Sequence, residues 1–416
     1  MHAGSAPVVD FRPDTEEFLA DPYPVFAALR ERHPIFRTDG SKLTYFARHA
    51  DILRLLQDPR LGRTMDHTLS RDELAARRRA AAWHTLPNYS RYVRVNLLET
   101  EGADHTRLRG VLTKLINPMA VRTLRERVQR VVDDLLAPLV ARGRMDFIAD
   151  LAEPLPVYMI ASWLGWPSEL REKLRPWSAA IVKPYEPDHT PDDEQRAEAA
   201  ATEFAAAIEQ VIEARRREPR DDLISALAAV EGQADTLSRD ELISTCMLVL
   251  NAGHEATVNG AGNALLALLR NPEQLSRLRA EPALMTSAIE ELLRYDSPLQ
   301  LFRRYVLEDM EDAGITLKRG EEVGFLYGCA NRDEVAFPHA DELDFARRPN
   351  PHLAFGGGRH YCVGAPLARM ELECLFRTLF ERIPKIELGE PEPRRRPGFV
   401  FRGLRRLSLR YQETTR

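Results

Sequence analysis

The sequence predicts a mainly α-helical fold with small β-sheets, an α+β arrangement in which one long central helix crosses the molecule. Three observations carry that prediction. Ser238-Arg239-Asp240-Glu241 is a capping box followed by an almost uninterrupted apolar run to Leu269. Val121, Leu124, Val128, Val131 and Leu135 recur at steps of three and four, the period of a half-buried helix. Strand signals concentrate between residues 35 and 46. No repeat or shift in composition asks for a second independent domain, so residues 1–416 read as one domain, β-rich at about 30–60 and helical elsewhere.

The elements follow in chain order. Met1 to Pro7 lacks the basic-then-apolar order of a signal peptide, which points to a cytoplasmic protein. Pro22 to Arg32 reads as a short helix, and Ile35 to Thr38 and Lys42 to Phe46 as a hairpin on an Asp39-Gly40 turn. Arg71, Arg77, Arg78 and Arg79 form a solvated helix face. The 121–135 pattern gives one helix that begins after Pro118 and ends before Gly143. Between Arg175 and Glu198, Pro176, Pro184, Pro187 and Pro191 predict a loop flanked by helices, a candidate mobile cover. The central helix, Arg239 to Arg270, would span roughly 48 Å at ~1.5 Å per residue. Asn251, His254, Glu255, Asn259 and Asn263 sit in its middle and argue against a membrane span, because each is costly in hydrocarbon. A last helix runs from Leu367 to Arg382.

Composition narrows the function. Lys and Arg total 58 against 63 Asp and Glu, a net charge of −5, so no global basic field exists to hold nucleic acid or an anionic membrane. Hydrophobic residues at 44% and a mean hydropathy of −0.36 describe a folded, non-membrane chain. The four cysteines, Cys246, Cys329, Cys362 and Cys374, fit neither a disulfide framework nor paired C-x-x-C metal spacing, so any special role falls on a single thiolate.

Context selects that thiolate. In Phe355-Gly356-Gly357-Gly358-Arg359-His360-Tyr361-Cys362-Val363-Gly364, three glycines let backbone lie against something flat or large, and Gly364-Ala365-Pro366 opens a helix. Unpaired amides and the positive end of a helix dipole favour a thiolate at Cys362, as metal ligand or nucleophile. A lone cysteine is more often a small buried hydrophobe, but the glycine context argues otherwise. A phosphate cradle lacks its Lys-Ser/Thr and its G-x-G-x-x-G spacing, and a zinc site lacks further ligands beyond His360. A one-thiolate metal centre remains, and haem iron accepts one proximal protein ligand.

These residues resemble the haem-thiolate monooxygenases of the cytochrome P450 superfamily, in their soluble bacterial form. The signature F-G-x-G-x-H-x-C-x-G-x-x-L-A-R is met at every fixed position from Phe355 to Arg369, and the resemblance spans most of the chain. It implies haem b (iron protoporphyrin IX) with Cys362 on the metal and Phe355, His360 and Gly364 around the cofactor. Glu291 and Arg294 match the family's E-x-x-R, with Arg347 standing where the partner arginine lies; the three are implied as a buried network supporting the cysteine loop. His105 and Arg109 match a helical H-x-x-x-R, and with Arg304 and His360 they are implied contacts for the haem propionates.

On the oxygen side the family motif reads Ala252-Gly253-His254-Glu255-Ala256-Thr257, with Ala256 in place of the first threonine. Glu255, Ala256 and Thr257 are thus the implied catalytic positions, with the usual proton-donating hydroxyl missing. Three accounts stand: Thr257 with ordered water replaces it, a substrate hydroxyl supplies the link, or oxygen is used inefficiently and peroxide is accepted. The resemblance also implies a substrate pocket lined by Leu248, Val249, Ala252, Leu299 and Phe302 and closed by Val400 and Phe401 on a C-terminal strand pair. These are mostly apolar positions that serve equally well as ordinary core.

The sequence shows no flavin or nicotinamide fingerprint and no cysteine spacing for an iron–sulfur cluster. Electrons then come from a separate ferredoxin and ferredoxin reductase, and Lys114 and Arg359 are candidate docking cations. The expected function is insertion of one oxygen atom from O2 into a small or mid-sized organic substrate in bacterial secondary metabolism. A peroxide-driven peroxygenase and a catalytically silent haem-fold binding protein are the alternatives.

Overall fold

The protein is described by a computed structural model covering residues 4–186, 189–233 and 235–412. Its contacts divide into two compact units. One comprises Met1–Gly62, Val128–Leu155 and Ala256–Arg416; the other comprises Arg63–Arg127 and Pro156–Glu255.

The first unit holds the sheets. Strands β1 (Ile35–Arg37) and β2 (Leu43–Phe46) pair antiparallel with Phe36 opposite Tyr45, on the predicted Asp39-Gly40 turn. Further strands are β3 (Leu61–Gly62), β4 (Arg144–Asp146), β5 (Leu301–Val306), β6 (Met310–Asp312), β7 (Ile315–Leu317), β8 (Glu322–Leu326), β9 (Ile386–Leu388) and β10 (Ser408–Tyr411). The main sheet runs β1-β2-β8-β5-β3, with β2 and β8 parallel and Phe302 of β5 opposite Phe325 of β8. Every residue of β2 is buried, because both faces of this inner strand are covered. Smaller sheets are β4-β10-β9 and β6-β7. Phe46, Ile52, Val323, Phe325 and Tyr327 anchor one core cluster; Phe11, Phe18, Phe26 and Phe36 anchor another.

The helical pattern at 121–135 breaks where one helix was expected. Helix Pro118–Thr123 is capped by Asn117, and a second helix runs Arg125–Val140. Its buried stripe is Val128, Val132, Leu136 and Leu139, so Val131 and Leu135 flank the packed face and are only half-buried. The three-and-four spacing fixed the period but not the angle of the face.

The second unit is helical, and it corrects the loop expected at 175–198. A helix spans Arg171–Val182 with Pro176 inside it, a 3-10 turn follows at Lys183–Tyr185, and a helix of 27 residues begins at Pro191. Pro191 occupies the first helical position, where a missing N–H costs nothing, and Thr190 with Asp193 completes a capping box. Burial of Leu174, Trp177 and Ile181, with Trp177 stacked on Phe204 at 5.1 Å, holds the helix around Pro176. Pro187 lies outside the described residues. The Arg71–Ala80 stretch is helical with no buried residue, matching the solvated face expected there.

The central helix runs Arg239–Arg270 as predicted, and Ser238 and Glu241 make the reciprocal bonds of the capping box. Two of its glycines admit close neighbours. A Cβ at Gly253 would meet Ile160 at 2.7 Å, and one at Gly262 would meet Ile148 at 2.7 Å. Among the described residues no helix is long and apolar enough to cross a membrane.

Candidate functional site

The segment before Cys362 is a tight turn held by its own backbone. Gly356 N donates to Leu353 O at 2.9 Å, Tyr361 N to Gly358 O at 3.1 Å, and Cys362 N to Phe355 O at 3.0 Å. Gly358 has φ +64, and a Cβ there would lie 2.0 Å from the carbonyl oxygen of Leu56, so both conformation and space demand glycine. After the cysteine, Ala365 N donates back to Cys362 O at 3.4 Å and helix Ala365–Arg382 begins, with Pro366 in its first turn. A Cβ at Gly364 would come within 3.8 Å of Cys362 Sγ; glycine leaves that flank of the sulfur open.

Cys362 is half-buried, whereas Cys246, Cys329 and Cys374 are buried. Burial pushes the Cys246 and Cys329 thiols up to about 12, which keeps them protonated and inert. The donor set therefore fits a group that takes one thiolate: one accessible sulfur, a side-chain-free turn before it and a helix N-terminus after it. His360 is half-buried in the 3-10 turn Gly358–His360, and Phe355 is half-buried at the start of the glycine run.

Glu291 and Arg294 are fully buried on helix Met285–Tyr295 and meet through two bonds of 2.7 and 2.8 Å. Arg347 Nε reaches the two Glu291 oxygens at 3.1 and 3.2 Å. The structure adds two partners that sequence spacing does not reveal. Asn350 Nδ2 donates to Glu291 at 3.1 Å and the Asp344 amide at 3.0 Å. Arg294 spends its other N–H groups on the carbonyls of Asn331, Ala340 and Glu342. The network thus ties the chain from Asn331 to Asn350 to one helix.

Arg304, on β5, is buried with its guanidinium 4.9 Å over the Phe302 ring. Phe302 stacks on Tyr327 at 6.2 Å, and the Tyr327 hydroxyl lies 3.4 Å from where a Gly356 Cβ would be. A cation is thereby connected through two rings to the glycine turn. Tyr327 was not legible as part of the site; nothing in its neighbours marks it.

Of the positions expected to line a pocket that lie in this unit, Leu299 and Phe401 form an isolated antiparallel bridge, and Gln300 N donates to Val400 O at 2.9 Å. The C-terminal strand pair is instead β9 with β10, so Val400 and Phe401 belong to no named strand. The bend at Gly398, with φ +105, and the glycine at 403 limit that stretch to single bridges. Leu299 and Phe302 pack on one core cluster and Val400 on the other, all half-buried.

In the second unit, His105 is buried and Arg109 half-buried one turn later on helix Gly102–Leu115. Arg107 fixes that helix: it bonds both Glu241 oxygens, at 2.6 and 3.0 Å, and Asp104 at 2.9 Å. Bonding to Glu241 raises the Arg107 pKa further, so the tie persists over the whole working pH range.

The central helix is buried along most of its length but not at its waist. Leu248, Val249, Glu255 and Ala256 are half-buried and Ala252 is exposed, a stripe at steps of three and four, while Met247, Leu250 and Val258 beside it are buried. Thr257 lies off the stripe and is buried. His254 is also buried, with Nδ1 3.7 Å from Glu255 Oε2. Lys114 and Arg359 are both exposed, each on its own unit.

The sequence matches the family described as Cytochrome P450 over residues 177–401. The biotin biosynthesis cytochrome P450 of Bacillus subtilis (strain 168) is 34% identical over 96% of this chain and 98% of its own length. The cytochrome P450 monooxygenase PikC of Streptomyces venezuelae is 33% identical over 98% of this chain and 95% of its own. Among solved structures, epothilone D-bound P450epoK superposes with a TM-score of 0.88 at 30% identity, covering 98% of this chain and all of that one.

Proposed function

The chain belongs to the cytochrome P450 family, and on that premise we propose that Cys362 is the thiolate ligand of its haem. It is a P450 monooxygenase with a haem-thiolate cofactor, acting on small organic substrates with redox partners. When bound, the haem supplies the reductive activation of dioxygen, with electron density from the thiolate.

The finer assignments are our reading. The cofactor is haem b, with Phe355 and Gly364 beside it, Arg304 and His360 as propionate contacts in the first unit, and His105 and Arg109 as such contacts in the second. Glu291, Arg294 and Arg347 hold the cysteine loop in place. Electrons arrive from a ferredoxin and its reductase, in the cytoplasm. The substrate is a mid-sized, largely apolar product of secondary metabolism. Two relatives carry names in that direction, a polyketide biosynthesis enzyme and a mycinamicin IV hydroxylase/epoxidase. The stripe of half-buried Leu248 and Val249 and exposed Ala252 supports that substrate class; in the first unit Leu299, Phe302, Val400 and Phe401 are the further lining we assign.

On the stripe Glu255 is the acid that can exchange protons with solvent, and Ala256 next to it has no hydroxyl to pass them on. Buried Thr257 is turned off that stripe, so the proton path runs through water or a substrate hydroxyl.

The observation that carries the ligand assignment is the state of Cys362: the half-buried cysteine, at the end of a turn where Gly358 admits no side chain. Cys362→Ser should abolish the thiolate-type carbon-monoxide band of the reduced protein. Retention of that band in the serine variant rules the assignment out.

A further inference from the structure

Glu290 stands next to Glu291 on helix Met285–Tyr295 but faces other partners, since consecutive helical residues point about 100° apart. Its carboxylate takes two bonds from Arg369, Nε at 2.6 Å and Nη2 at 2.7 Å, and one from His352 Nε2 at 3.2 Å. Arg369, one turn into the helix after Cys362, uses its remaining nitrogen on the Tyr361 hydroxyl at 3.2 Å. The flat face of the same guanidinium lies 4.4 Å from the centroid of the Phe355 ring. His352 closes the circuit: Nδ1 accepts the Ala354 amide at 3.2 Å, which leaves the ring proton on Nε2 for Glu290. Phe355 itself touches His352 and Tyr361, with centroids 5.9 and 6.4 Å away, and its carbonyl receives the Cys362 amide.

We propose that Glu290, His352 and Arg369 are positioning residues that fix the Phe355 ring and the turn ending at Cys362, and through them the thiolate's bond to the haem. The two adjacent carboxylates divide the work. Glu291 secures the chain from Asp344 to Asn350, and Glu290 secures it from His352 to Tyr361. Burial opposes the Glu290 charge, but the bonds from Arg369 and His352 outweigh it and hold its pKa down at about 2, so the cluster stays assembled across the physiological range. A bidentate fork with a stacked ring is a geometry that arginine supplies and lysine does not.

This inference rests on Cys362 being the ligand, and the test separates the two. The haem-loaded wild type must show the thiolate-type carbon-monoxide band; its absence would remove the ligand assignment, not the cluster. Given that band, Arg369→Gln and Glu290→Gln should shift it in the same direction. Both should convert to the form without thiolate ligation about tenfold faster on warming. The double variant should be no worse than the worse single one, since either change releases the same ring. Arg369→Lys should recover only part of the effect. Opposite shifts for the two single variants would mean that their charges act as separate fields, and additive or absent shifts would mean no joint positioning; each result overturns the proposal. Should the glutamine variants fail to hold haem, Arg369→Lys and His352→Gln provide the same comparison on a smaller scale.

Discussion

Behind the Cys362 turn, two neighbouring carboxylates each hold an arginine in a fork and at least one further donor, and the amides of Gly356, Tyr361 and Cys362 bond carbonyls of the same loop. The waist of the central helix is the opposite case. From Leu248 to Ala256 its open face is apolar apart from Asn251 and Glu255, the latter with His254 Nδ1 3.7 Å away, and Ala252 is left exposed. The first region is held by many bonds; the second leaves its apolar side chains half-buried or exposed. The difference teaches where change is tolerated. A network of buried charges loses several partners with each substitution, whereas an apolar stripe can be re-cut residue by residue.

The comparison can be broken most forcefully at Glu291. Glu291→Gln leaves Arg294 and Arg347 buried against a neutral amide and should cost about 3–5 kcal/mol, read as a large fall in the unfolding midpoint of the holoprotein. A fall no greater than that of a surface control would show that the network is not rigid. Gly358→Ala comes next, since it adds a left-handed strain of about 1–3 kcal/mol. Its Cβ would also strike the Leu56 carbonyl, so haem retention on gel filtration should drop with stability.

A smaller effect sharpens the picture at Glu371, on the helix after Cys362. Burial alone pushes its carboxyl up to about 8, and its Oε1 has no hydrogen-bond partner among the described residues. Because the folded form prefers the proton, its stability is complete below the ordinary carboxylate range and declines as pH rises towards about 8. Glu371→Gln should flatten that decline, measured as the urea midpoint against pH. Ala256→Thr should leave the unfolding midpoint nearly unchanged while altering the fraction of electrons that end in product. Unchanged coupling would show that the missing hydroxyl has no consequence on the open stripe.

The legible parts of this molecule are those whose chemistry demands residues close together in the chain. The glycine turn with Cys362, the Glu291–Arg294 pair and the capping box at Ser238 are all local, and each lies where its spacing predicts. Arg347 was placed by family resemblance alone, and its bond to Glu291 spans 56 residues. Asn350, His352 and Arg369 share that difficulty, since a single long-range hydrogen bond leaves no periodic trace. The prolines at 176 and 191 misled for a different reason. A proline signals a break only when its amide is needed, and at Pro191 it is not. The 121–135 stripe shows the limit of counting threes and fours: Val121, Leu124 and Val128 are buried as counted, but further along the second helix the packed face continues at Val132 and Leu136, one residue on from Val131 and Leu135.

The close seats of Ile160 on Gly253 and of Ile148 on Gly262 have a practical consequence for anyone wishing to redesign this catalyst. Nine residues apart at about 100° each, the two seats grip opposite sides of the helix, so trimming Leu248 or Val249 should widen the available room without letting the rod drift into the gap. A library built on those two positions would explore new substrates on a scaffold that stays still, provided both glycines are left alone.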